Sequence, residues 1–252
     1  MQLHFQAYGA GAPLIILHGL FGSLDNWHSM SLQLGEHFHV LAIDQRNHGH
    51  SPHSSEMNYA VMAEDVSEFM RAQHIEHARV LGHSMGGKTA MQLALRNPEK
   101  VDRLVVVDIA PRAYSPRHGQ IFEGALAVDL AMCQNRGDVE HGLVPFIPEK
   151  AVRQFLLKNL TRNAVGGLQW KLNLRDIFRN YGRLSEALSN ERPFEKPTLF
   201  IRGEASKYLR ESDWELIRHL FPRAEQRTIA HASHWVHADV PQAFLQAVLD
   251  FL

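Results

Sequence analysis

One cysteine, Cys133, stands among 252 residues. No internal disulfide can brace the chain, and its thiol content gives no sign of an oxidising compartment. No apolar run approaches the ~20 residues that a membrane-spanning helix needs. The opening Met-Gln-Leu-His-Phe lacks the basic start and apolar stretch of a secretory signal and reads directly as a strand. Excess charge is missing too: the net of −1 removes any global pull toward nucleic acid or an anionic membrane. Repeats, low-complexity tracts and charge blocks are absent. What remains is 45% hydrophobic and 21% charged, ordinary for a globular protein and enough for one substantial core. The expectation is a soluble, cytoplasmic protein acting on a small molecule.

Short apolar runs alternate with helical patterns. Leu14–Leu17, Val40–Ile43, Arg79–Leu81, Leu104–Val107, Thr198–Ile201 and Gln226–Ile229 read as strands. Several lack polar alternation, as strands of a parallel sheet buried on both faces do. Tyr59, Met62, Ala63, Val66, Phe69 and Met70 recur at helical spacing, and Gly86–Arg96 and Val240–Phe251 also read as helices. The alternation predicts an α/β fold with a mostly parallel sheet. Residues 112–192 break the rhythm, with helical patterns around Phe155, Leu156 and Leu160 and from Trp170 to Phe178 but no convincing strand. So long an insertion is not a loop. The predicted organisation is a core of residues 1–111 and 193–252 with a helical cap of residues 112–192.

Gly82-His83-Ser84-Met85-Gly86-Gly87 fits G-x-S-x-G, between a strand and a helix. That context suits a serine on a sharp, strained turn whose hydroxyl stands clear of the sheet, with glycines where side chains would collide. The N–H of Met85, at the helix start, then faces a developing oxyanion. The same stretch, continued by Lys88-Thr89, also matches the phosphate-binding pattern G-x-x-x-x-G-K-[ST], and Asp108 after an apolar strand mimics a magnesium-binding aspartate. That reading leaves the remaining motifs without a role.

Those motifs lie at other strand ends. His18-Gly19-Leu20-Phe21-Gly22-Ser23 is placed to give a second oxyanion donor, the N–H of Leu20 or Phe21. Near the C-terminus, His231, His234 and His237 cluster; His234, in a small-His-aromatic stretch before a final helix, is the chosen base. Asp239 reads as the N-cap of that helix, with Pro241 in its first turn. The acid that orients the imidazole is Asp108, at the end of four apolar residues, with Glu204 as runner-up. Asp44 reads as a loop anchor. His48 and His50 lack apparent further ligands, so no metal and no cofactor is expected. Phe21, Met85 and Trp235, with Trp170 and Tyr181 from the cap, are the candidate substrate contacts.

Five segments together, His18-Gly-Leu-Phe-Gly-Ser-Leu-Asp-Asn, Asp44-x-Arg-Asn-His-Gly-x-Ser-Pro, Gly82-His-Ser-Met-Gly-Gly-Lys, Asp108-Ile-Ala-Pro and His234-Trp-Val-His, resemble the small bacterial esterases of the YbfF type in the α/β-hydrolase superfamily. The resemblance spans the whole chain. It implies the triad acid in the Asp108 segment, a helical cap between the sixth and seventh main strands, and activity on short acyl esters, with acyl-coenzyme A thioesters a suspected class. The expected reaction is hydrolysis of carboxylic esters or acyl thioesters through an acyl-enzyme on Ser84. The alternative is the same triad used for acyl transfer, a cofactor-free lyase step or carbon–carbon cleavage. Substrate identity and oligomeric state are not written in these motifs.

Overall fold

A computed structural model describes residues 1–188 and 192–252. Residues 189–191, the far end of the expected cap, lie outside the described residues. Seven strands form the main sheet: β1 (Phe5–Tyr8), β2 (Pro13–Leu17), β3 (His39–Ile43), β4 (Ala78–His83), β5 (Val101–Val107), and then β8 (Thr198–Gly203) and β9 (Ala224–Ile229). Two more, β6 (Leu160–Arg162) and β7 (Leu168–Trp170), make a separate hairpin. The order is β1-β3-β2-β4-β5-β8-β9, with β1 antiparallel and every other pairing parallel.

Alternating side chains build a layer on each face of this sheet. Ile15, Leu17, Val80, Leu104, Val106 and Phe200 enter one core. It is shared with α2 (Tyr59–Ala72) and α3 (Met85–Arg96). Leu14, Ile16, Leu81, Val105, Leu199 and Ile201 enter the other, with α1 (His28–Leu34) and α11 (Pro241–Leu249). From β2 the chain moves outward to β3 and then crosses back to β4. That reversal opens a crevice at the C-terminal ends of β2 and β4, where open α/β sheets bind ligands. Among the described residues, no helix is long and apolar enough to cross a membrane.

Between β5 and β8 lie α4 (Gly119–Ala127), α5 (Arg136–Leu143), α6 (Lys150–Leu157), the hairpin, α7 (Leu174–Arg179) and α8 (Tyr181–Ser185). Four expectations need correction. The insertion follows the fifth main strand, not the sixth, because only one antiparallel strand precedes β2. It contains the β6–β7 hairpin, which takes Leu160 and Trp170 out of the predicted helices; the Asn163 carboxamide oxygen accepts the N–H groups of Val165 and Gly167 to close its turn. The first strand starts at Phe5 rather than Met1. Asp239 does not cap the last helix. Val240, before Pro241, leaves the helical region (φ −136°, ψ 67°) and separates α11 from the short α10 (Val236–Asp239). The Asp239 carboxylate instead accepts the N–H and hydroxyl of Ser233.

Lys88, the lysine of the phosphate-loop pattern, is 1% exposed. Its ammonium donates to the Glu186 carbonyl at 2.5 Å, between the rings of Tyr59 and Tyr114. It pins the end of the inserted segment and is closed off from any phosphate. Burial, with Arg112 nearby, lowers its pKa from 10.5 to about 7. The unfolded chain therefore holds the extra proton between about pH 7 and 10.5, so this residue's contribution to stability rises with pH across that window. In paired unfolding curves, the gap between wild type and Lys88→Met should shift in favour of wild type by about a few kcal/mol from pH 7 to 10. A gap independent of pH contradicts a buried lysine with a depressed pKa.

Candidate active site

Parallel register sets the reacting groups side by side. His83 of β4 pairs with Val107 of β5, so Ser84 and Asp108 each follow at the same height on neighbouring strands. The ladder continues through both: the Ser84 N–H donates to Val107 O (3.0 Å) and the Asp108 N–H to Ile201 O (2.8 Å). Ser84 takes φ 52°, ψ −117°, a backbone state that L side chains rarely occupy. Its flanks have no room to relax: a Cβ on Gly82 would stand 2.2 Å from Gly86 O, and one on Gly86 2.3 Å from Leu17 O. The strained turn lifts the Ser84 hydroxyl out of the sheet at the start of α3.

His234 reaches this hydroxyl from the loop after β9. Its Nε2 lies 3.1 Å from Ser84 Oγ, and its Nδ1–H donates to Asp108 Oδ2 at 2.7 Å. Asp108 is fully buried. It also accepts the Gly203 N–H (3.1 Å) and the Ser206 hydroxyl, which together fix the carboxylate. The Tyr208 ring stacks on His234 with centroids 3.8 Å apart and 18° between planes. From behind, His83 Nε2–H donates to the His234 carbonyl at 2.9 Å. Burial, reinforced by His234 and His237, pushes the His83 pKa well below its ordinary value, so it serves as a neutral donor. The arrangement can activate a hydroxyl for attack, hold the imidazolium that forms, and return the proton.

The two loops bearing N–H groups differ in what is free. The Phe21 N–H donates to His48 Nε2 at 3.3 Å, and Asn159 holds the Phe21 carbonyl at 2.7 Å. His48 can accept because burial lowers its pKa to about 3, while its Nδ1–H donates to Arg46 O. His18, with its pKa at about 4, likewise accepts the Gln45 N–H and fixes the turn. With the Phe21 N–H engaged, the N–H groups of Leu20 and Met85 are the available pair. Asp44 anchors its loop by accepting the N–H groups of Leu24 and His50.

A family model described as alpha/beta hydrolase fold matches residues 12–136. The sn-1-specific diacylglycerol lipase ABHD11 of Danio rerio is 40% identical over 98% of this chain and 80% of its own. Esterase YbfF of Escherichia coli is 36% identical over 100% of this chain and 99% of its own. The solved structure of a marine microorganism esterase superposes with a TM-score of 0.97 at 41% identity, covering 100% and 99% of the two chains. This chain belongs to the α/β-hydrolase family. These three relatives are named as two esterases and a lipase.

As in an α/β-hydrolase, a cavity opens over the serine, here of about 540 Å³. Ser84, His234, Leu20, Phe21 and Trp235 line it. Three expected contacts, Met85, Trp170 and Tyr181, do not. Trp170 faces a separate depression of about 630 Å³ that shares no lining residue with the first, and its indole donates to Ala125 O. Being in β7 rather than a helix turns it away. Tyr181 sits one layer back, its hydroxyl against His118 Nδ1 at 2.6 Å and its ring on Phe122. His118, which does line the cavity, was missed by sequence reasoning, as were Ile121, Val152, Phe155 and Leu156. The apolar spacing of α6 signalled a helix but not which face meets the serine. Ser206 and Tyr208 stood in the loop searched for an acid, so their position was visible and their partners were not.

Glu204, the rival acid, accepts the His231 N–H at 2.9 Å and serves the histidine loop as an anchor. In steady-state kinetics on an aryl ester, Asp108→Asn should lower kcat about 10⁴-fold, by analogy with other serine hydrolases. Glu204→Gln should stay within about tenfold, since it disturbs one loop hydrogen bond. The reverse ranking contradicts the assignment.

Proposed function

We propose that this α/β-hydrolase is a serine esterase that cleaves carboxylic esters, with acyl thioesters within its range, through an acyl-enzyme on Ser84. The observation that carries the reading is the continuous Ser84–His234–Asp108 chain, at 3.1 and 2.7 Å, facing a half-open, mostly apolar cavity. The names of these three relatives, two esterases and a lipase, agree with it.

In this mechanism the acyl carbonyl sits with its oxygen toward the N–H groups of Met85 and Leu20. Ser84 Oγ attacks as His234 Nε2 takes its proton, and Asp108 stabilises the imidazolium. His234 then protonates the departing alcohol or thiol, whose bond to the acyl carbon breaks. Water, deprotonated by the same nitrogen, attacks the acyl-enzyme and frees the acid and Ser84. The acyl chain runs along Phe21, Ile121, Val152, Phe155, Leu156 and Trp235. Residues 112–192 act as the cap, since α6 supplies much of that wall. No step calls for a metal or an organic cofactor.

A fluorophosphonate probe should label wild type on Ser84, and Ser84→Ala should lose both labelling and about 10⁶ in turnover. Labelling that survives in Ser84→Ala sinks the reading. Across a series of p-nitrophenyl and thioester acyl lengths, Val152→Trp should shift the optimum to shorter chains by filling the wall. An unchanged profile places the acyl chain elsewhere.

A further inference from the structure

The cavity wall carries one buried polar side chain that the mechanism leaves unused. His237 is 8% exposed and lines the cavity. It lies flat on Trp27, with centroids 4.1 Å apart and 11° between planes. Its ring stands 5.0 Å from that of His83, which stands 4.7 Å from that of His234. Nδ1 is enclosed without a hydrogen-bond partner, and the ring bonds to none of the described residues. Nε2 is thus the nitrogen with access to the cavity. Burial, with His234 and Lys158 adding to it, lowers the His237 pKa to about 3. The ring is neutral at working pH, with one N–H donor and one lone pair.

A neutral imidazole whose Nε2 opens on the cavity presents one hydrogen-bonding atom to whatever enters the site. A neutral ring can donate to or accept from a neutral polar group, such as a hydroxyl, and donate to a carbonyl. The departing group is the part of the substrate that must lie next to His234, which hands it a proton. His237 belongs to the same helix-turn segment and the same cluster of rings, beside Asn26 and Trp27 on the cavity wall. Ile121, Val152 and Leu156 offer the acyl chain no polar atoms.

We propose that His237 anchors the leaving-group side of the substrate by a hydrogen bond, so that the preferred esters and thioesters carry a further hydroxyl or carbonyl on the alcohol or thiol. This rests on the hydrolase reading above. The same site would receive an incoming alcohol when the reaction runs in reverse. The alcohol oxygen bonds to the acyl carbon, His234 takes the hydroxyl proton, and the bond to Ser84 breaks as that proton returns to it.

Interception of the acyl-enzyme tests this with the wild-type protein. During turnover of p-nitrophenyl butyrate, 1,2-ethanediol and 1-propanol, equal in size, compete with water, and the new butyrate esters are quantified. After correction for its two hydroxyls, the diol should be favoured about tenfold. The preference should fall to near parity in His237→Phe and survive in part in His237→Gln. Parity in wild type with normal turnover, or a preference undiminished in His237→Phe, overturns the inference and leaves the hydrolase reading standing. Absence of any ester turnover in wild type overturns both.

Discussion

Ser84 holds a strained backbone because everything around it is tied to something stiffer. Its N–H continues the β4–β5 ladder, its carbonyl accepts the Lys88 N–H in the first turn of α3, and the glycines on either side are wedged against backbone carbonyls. Such a conformation costs about 1–3 kcal/mol, and the parallel sheet holds it in place. The return is geometric. The hydroxyl leaves the sheet at the one height where a loop from β9 can meet it, and where Asp108 is one strand away.

A second constraint is desolvation. His18, His48, His83 and His237 are buried and His118 is half-buried, and loss of hydration pushes each toward the neutral ring. Neutral rings can accept as well as donate, and the fold uses both. His18 and His48 accept backbone N–H groups, fixing the turn that leaves the Leu20 N–H free, while His83 donates to the carbonyl of the base itself. His48, a stray metal candidate in the loop after β3, is part of this scaffold, whereas the His50 ring is exposed. Among the described residues, no three His, Cys, Asp or Glu side chains converge as a metal site would require.

The parts of this arrangement that were legible in the sequence are those with local signals. Apolar runs located six main strands to within a few residues, and the elbow and histidine stretch were marked by spacing. Asp108 stood out because it ends a run of valines. The failures share one physical cause, dependence on tertiary contacts. Strands three residues long carry too little periodicity to reveal the β6–β7 hairpin, so Trp170 was misplaced. Asp239 had the right residue type for a cap, but the Val240–Pro241 pair broke the helix one residue later. Neither the burial of Lys88 nor the lack of a partner at His237 follows from neighbours in the chain; both arise from packing between the inserted segment, the sheet and the loops.

The central claim is that one turn presents a hydroxyl between an imidazole and a pair of backbone donors. The direct measurement is a crystal structure of the phosphonate adduct. The account predicts phosphorus on Ser84 Oγ, with the phosphoryl oxygen about 3 Å from the nitrogens of Met85 and Leu20 while Phe21 keeps its bond to His48. Phosphorus on another residue, or an oxygen turned away from that pair, contradicts it.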